Sequence, residues 1–138
     1  MKRAVFFDLD GTLTDPSAGV LASVRYALGS LGEKIPEEAV LRSFIGPPLA
    51  DSFVRVLGMT PQRANEAIRL YRVYYGQGGM FENRVYPGVP QLLSALKRQG
   101  RLIVLATSKP EEFARDILAH FDLLHEFDFL GCATMDDR

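Results

Sequence analysis

Apolar positions follow two different rhythms along this chain. Near the start, Ala4-Val5-Phe6-Phe7 is an unbroken apolar run, which suits a short strand covered on both faces and puts Phe6 and Phe7 in the core. From Pro16 the spacing becomes helical. Asp15-Pro16 reads as an aspartate cap followed by proline at the first helical position, and Val20, Leu21, Val24, Ala27, Leu28 and Leu31 continue the helix to Gly32. A second helix opens at Pro36-Glu37-Glu38 and carries Val40, Leu41 and Phe44. Ile45-Gly46-Pro47-Pro48 interrupts it, because a residue before proline is pushed away from helical backbone. A third helix spans residues 49–57, and Thr60-Pro61 caps a longer fourth with Ala64, Ile68, Tyr71 and Tyr75 on one face. Residues 16–79 hold no strand candidate.

The βα rhythm then returns. Tyr86-Pro87-Gly88 is a turn, and Val89, Leu92, Leu93 and Leu96 mark a helix ending at Gly100. Leu102–Ala106 predicts a buried strand that stops at Thr107-Ser108-Lys109-Pro110, with a helix from Pro110 through Phe121. Phe127–Gly131 is the third strand candidate. The order implies an α/β fold, a doubly wound parallel sheet with an all-helical module inserted after the first strand. Residues 1–15 and 86–138 would form the α/β part and 16–85 the helical part.

A length of 138 residues fits one domain plus an insertion, and a net charge of −1 without a basic run argues against nucleic acid or an anionic membrane as partner. The single Cys132 rules out an internal disulfide and reads as a small buried hydrophobe. The first apolar run ends at Asp8, too soon for a signal peptide or a membrane span. These features place the protein in the cytoplasm.

Candidate chemistry lies at two strand ends, where open α/β sheets bind ligands. Alternation in Asp8-Leu9-Asp10 points both acids the same way in an extended chain, and Gly11 allows the turn and close backbone approach to a ligand. Thr107-Ser108 offers hydroxyls and free N–H groups to an anion. A phosphate dianion about 4 Å from a carboxylate is repelled by roughly 8 kcal/mol at an effective dielectric of about 20. A Mg²⁺ ion between them reverses that sign, and it prefers oxygen ligands.

Asp8-Leu9-Asp10-Gly11-Thr12-Leu13-Thr14-Asp15 resembles motif one of the haloacid dehalogenase superfamily of phosphohydrolases, and Leu105-Ala106-Thr107-Ser108-Lys109-Pro110 resembles its motif two. The helical insert resembles the cap of the phosphoglycolate-phosphatase-like branch. The resemblance implies a Rossmann-like sheet, here incomplete with about three strands. It also implies hydrolysis of a small phosphorylated substrate, such as phosphoglycolate or a nucleotide, through an aspartyl-phosphate. Asp8 would be the nucleophile and Asp10 the acid and then base. Mg²⁺ would sit on the Asp8 carboxylate and the Asp10 main-chain carbonyl. Thr107, Ser108 and Gly11 would hold the phosphoryl group, and the cap loop Ile45-Gly46-Pro47 would select the substrate. Residues 83–87 and Asp15-Pro16 would be hinges.

The family's later lysine and acidic metal loop are absent from the 138 residues, where Asp136-Asp137 resembles the segment just before that lysine. Lys109 is expected to contact the motif-two loop rather than replace it. The chain is accordingly read as a truncated, inactive form of a longer phosphatase. Its first strand would be an exposed edge open to self-association. A phosphosugar mutase, which would carry arginine where Leu49 stands, and a non-catalytic binding fragment are the alternatives.

Overall fold

A computed structural model describes residues 2–134. In chain order its elements are β1 (Ala4–Phe7), β2 (Thr14–Asp15), α1 (Ser17–Ser30), α2 (Glu38–Arg42), α3 (Leu49–Asp51), α4 (Pro61–Gln77) and β3 (Arg84–Val85). They continue with α5 (Val89–Arg98), β4 (Leu102–Pro110), α6 (Glu111–His120) and β5 (Phe129–Ala133). Two compact units result: Met1–Asp15 with Arg84–Arg138, and Pro16–Asn83. Asp136 and Asp137 lie outside the described residues.

In the first unit a parallel sheet has the order β1-β4-β5. Phe7 lies opposite Leu105, and Leu105 opposite Leu130. Both crossovers step in the same direction, and right-handed connections then put α5 and α6 on one face of the sheet. That face is dry: Ile103 and Leu105 of β4 are fully buried, as are Leu93 of α5 and Ile117 and Leu118 of α6.

The other face overturns the expectation for β1. Phe6, Val104 and Phe129 share one register row, yet Phe6 is 66% and Phe129 62% exposed. An apolar run suits two-sided burial, but only long-range partners decide it, and among the described residues β1 has a strand on one side alone. Phe6 is therefore no core residue among those described.

Further boundaries differ for local reasons. Helix α1 starts at Ser17 with Pro16 in the cap position and no side-chain cap; the Asp15 carboxylate instead meets Arg84 at 3.2 Å. That contact belongs to a two-residue antiparallel ladder, Thr14 opposite Val85 and Asp15 opposite Arg84, too short to leave a pattern in the sequence. Strand β4 runs on to Pro110, which makes Pro110 the cap of α6 rather than its first residue. The third strand sits two residues later than expected. The expected helix over residues 49–57 is α3 continued by a π-helical turn, Ser52–Val56.

The second unit contains only helices. α1 packs on α4, and Val24, Ala27 and Leu28 of α1 and Ala64, Ala67, Tyr71 and Tyr75 of α4 are all buried. Thr60 caps α4 as its sequence suggests, its hydroxyl accepting the Arg63 N–H at 3.2 Å ahead of Pro61. Leu41 of α2 and Phe44 just after it are buried, and the Phe44 ring meets Phe53 edge-on at 5.0 Å.

Candidate active site

The loop after β1 is built around a buried pair of leucines, Leu9 and Leu13. The Leu9 carbonyl accepts N–H groups from Thr12, Leu13 and Thr14 at 2.9–3.2 Å, and the Gly11 N–H reaches the Thr14 carbonyl at 2.8 Å. Closing so tight a turn needs the left-handed backbone of Gly11, φ +80°, which a side chain would strain. With Leu9 pointing inward, Asp8 stands exposed and Asp10 half-buried on either side of it. One Asp8 oxygen, Oδ1, accepts the Leu9 N–H at 2.7 Å.

Register does the rest. Phe7 lies beside Leu105, so the acids that follow β1 come level with the last residues of β4, among them Thr107 and Ser108. Between Ala106 and Pro110 the β4–β5 pairing slips, and such an irregularity re-aims side chains. Thr107 Oγ1 accepts the Lys109 N–H at 3.2 Å, and Ser108 is exposed. Lys109 is turned inward: its ammonium lies 3.1 Å from Asp10 Oδ2, with the two side chains only 4% and 15% exposed. This corrects the expectation for Lys109, which reaches across to the acid motif. The sequence signal was its place in motif two, but a lysine is by default a surface residue.

Two buried polar atoms of this loop have no hydrogen-bond partner among the described residues, Asp10 Oδ1 and Thr14 Oγ1. Such orphaned atoms are costly unless a ligand or water completes them. Among the described residues no group of three or more His, Cys, Asp or Glu side chains is placed to hold a metal. Asp8 and Asp10 are the acids at this strand end. Ile45, Gly46 and Pro47 lie in the helical unit, between α2 and α3, with Gly46 in left-handed backbone at φ +110°.

Two groups elsewhere titrate abnormally. A hydrogen bond to Glu82, 2.8 Å long, is the main reason the Tyr74 hydroxyl loses its proton less readily than usual. Burial pushes the Cys132 thiol up, Glu111 adds to this, and Arg115 opposes it.

The chain is similar to known proteins. The 5'-nucleotidase of Pseudomonas aeruginosa is 45% identical over 132 residues, which are 96% of this chain and 60% of that protein. The tyrosine-protein kinase PtkA of Mycobacterium tuberculosis is 39% identical over 134 residues, 97% of this chain and 45% of that one. Among solved structures, a predicted phosphatase from Clostridium acetobutylicum superposes with a TM-score of 0.92 at 42% identity, over 100% of this chain and 64% of that one. The chain thus spans between about half and two thirds of the length of these relatives. The family model described as haloacid dehalogenase-like hydrolase matches residues 5–136. With nearly its whole length matched, and with both acids at the end of β1, the chain belongs to the haloacid dehalogenase-like hydrolases.

Proposed function

We propose that the complete protein is a Mg²⁺-dependent phosphomonoesterase acting on a small organic phosphate, with a nucleoside monophosphate as the first candidate. The observation that carries this reading is the ion pair of Asp10 with Lys109, which links the acid motif after β1 to the Thr107-Ser108-Lys109 stretch of the neighbouring parallel strand. The nucleotidase relative supports the substrate class.

In this reading an Asp8 oxygen attacks phosphorus as the bond to the leaving oxygen breaks, giving an aspartyl-phosphate. Asp10 gives its proton to the leaving alkoxide. It then takes a proton from the water that attacks the aspartyl-phosphate, which returns Asp8 as a carboxylate and releases phosphate. Thr107 and Ser108 would hold the phosphoryl oxygens, whereas the Gly11 N–H, expected to join them, is taken by the Thr14 carbonyl. The donor set fits Mg²⁺, which is held by one or two carboxylates and keeps several waters: Asp8 is an exposed carboxylate at the end of β1. Asp8 and the Asp10 carbonyl would hold the ion, which supplies charge to offset that of the phosphate. The loop Ile45-Gly46-Pro47 would select the leaving group. Leu49 is buried at the start of α3 and offers no cation for a second phosphate, which favours hydrolysis over a mutase reaction.

Among the described residues no helix is long and apolar enough to cross a membrane. A cytoplasmic setting is part of the same proposal, supported by the lone Cys132. So is self-association of the 138-residue chain, through the edge of β1 and the exposed Phe6 beside it.

The test is turnover of nucleoside monophosphates, phosphoglycolate and p-nitrophenyl phosphate by the complete chain, with Mg²⁺ and with chelator. Asp8→Asn should lower kcat by at least about 10³-fold, since it removes the group that forms the intermediate. Full turnover in Asp8→Asn, or in chelator, would overturn the reading.

A further inference from the structure

Lys109 does more than neutralise a buried acid. Its ammonium holds one named oxygen of Asp10, Oδ2, at 3.1 Å, while the other, Oδ1, is buried and unpartnered. The carboxylate therefore has two inequivalent oxygens, one engaged and one free to receive a ligand. We infer that Lys109 is a positioning residue that fixes Asp10 through Oδ2, so that Oδ1 is the atom that passes protons in the reaction. The inference rests on the reading of Asp10 as acid and base given above.

The geometry supports it at each level. The pairing slip between Ala106 and Pro110 turns Lys109 inward at the second residue after Thr107. Burial of its side chain, only 4% exposed, removes the freedom of a surface lysine, whose ammonium wanders on a four-carbon stem. A carboxylate gripped at one oxygen cannot spin about its Cβ–Cγ bond, so the second oxygen is held in one place. Misplacement of a reacting group by about 1 Å can cost about 10²-fold in rate. In the first step the O–H bond at Oδ1 breaks as its proton moves to the leaving oxygen. In the second, Oδ1 regains a proton from the attacking water.

A purely structural role and this one differ in their dependence on the leaving group. An alkoxide needs the proton, whereas p-nitrophenolate leaves without it. The experiment is single-turnover kinetics of the complete chain and its Lys109→Met variant, following release of nucleoside from a nucleoside monophosphate and of p-nitrophenol from p-nitrophenyl phosphate. Nucleoside release should slow on the order of 10²-fold, and p-nitrophenol release should stay within about threefold of the parent. The p-nitrophenol signal also reports that the variant is folded. Equal losses on both substrates, or no loss on either, would overturn the inference while leaving the phosphatase reading intact. A parent chain that hydrolyses no phosphate removes both. A second arm covers a destabilised Lys109→Met. In an Asp10→Asn background, removing Lys109 should change nucleoside release by less than about twofold, and a further large loss would count against the positioning role.

Discussion

Two glycines of α1 should respond to alanine in opposite directions. Gly19 donates its N–H to the Glu82 carbonyl at 2.8 Å, and a Cβ placed on it would stand 1.9 Å from the Gly79 carbonyl oxygen and 3.0 Å from that of Glu82. Both obstacles are backbone, so no rotamer change relieves them. Ordinary contact needs about 3.5 Å, so the segments must part by well over about 1 Å. Overpacking of this kind costs about 1–3 kcal/mol, and losing the Gly19–Glu82 hydrogen bond adds about 1 kcal/mol. Gly19→Ala should therefore destabilise the chain by about 2–4 kcal/mol, a fall in Tm on the order of 10 °C at this size. At Gly29, by contrast, a Cβ would meet no atom within 4 Å, and the residue is exposed in the same helix. There alanine should stabilise by about 0.5–1 kcal/mol, because glycine loses more backbone entropy on folding. Urea unfolding followed by circular dichroism measures both. Gly19→Ala within about 0.5 kcal/mol of the parent, or a larger loss at Gly29 than at Gly19, would refute the reasoning.

Two further outcomes follow from exposure and from burial. Phe6→Lys should shift the 138-residue chain toward monomer in analytical ultracentrifugation without lowering its Tm, because Phe6 is 66% exposed on the strand that, among the described residues, forms the sheet's edge and lysine blunts such edges. Unchanged association would clear this surface of the role. Cys132, its thiol pushed up by burial and by Glu111, should react with iodoacetamide more slowly than a free cysteine near pH 8. The folded state holds this proton more tightly than the unfolded one, so the thiol's contribution to stability is present at neutral pH. It is lost as pH rises through the folded value. Cys132 is only half-buried, not the fully buried hydrophobe expected, and alkylation at the free-cysteine rate in the folded chain would contradict even that partial burial.

What could be read from sequence is what short-range physics fixes. Thr60-Pro61 names its own cap because the hydroxyl, the N–H it accepts and the ring that lacks one are all within four residues. Gly11 announces a left-handed turn for the same reason. Phe6 was placed in the core and is exposed instead, since an apolar run carries no record of which face a partner covers. The Thr14–Asp15 ladder was invisible because its other half lies in Arg84–Val85, with no periodicity over two residues. Lys109 shows the limit most sharply. Its contact with Asp10 joins residues 99 positions apart in the chain, and it depends on a slip in strand pairing that no composition signals. Asp8, Asp10, Thr107 and Ser108 could be singled out beforehand because strand ends in this fold class are where polar residues act.

The two-residue ladder has one more consequence. It brings Asp15 and Arg84 side by side, so the chain leaves the sheet-bearing unit and re-enters it at nearly the same point. To that unit, everything from Pro16 to Asn83 is a closed loop. Closure entropy grows only logarithmically, by about 0.6 kcal/mol for each doubling of loop length. Replacing the helical unit with a much shorter or longer one should therefore cost the sheet-bearing unit little, so long as the clamp at Asp15 and Arg84 is kept. Such a junction makes the inserted unit interchangeable, and lets one sheet carry inserts of very different size.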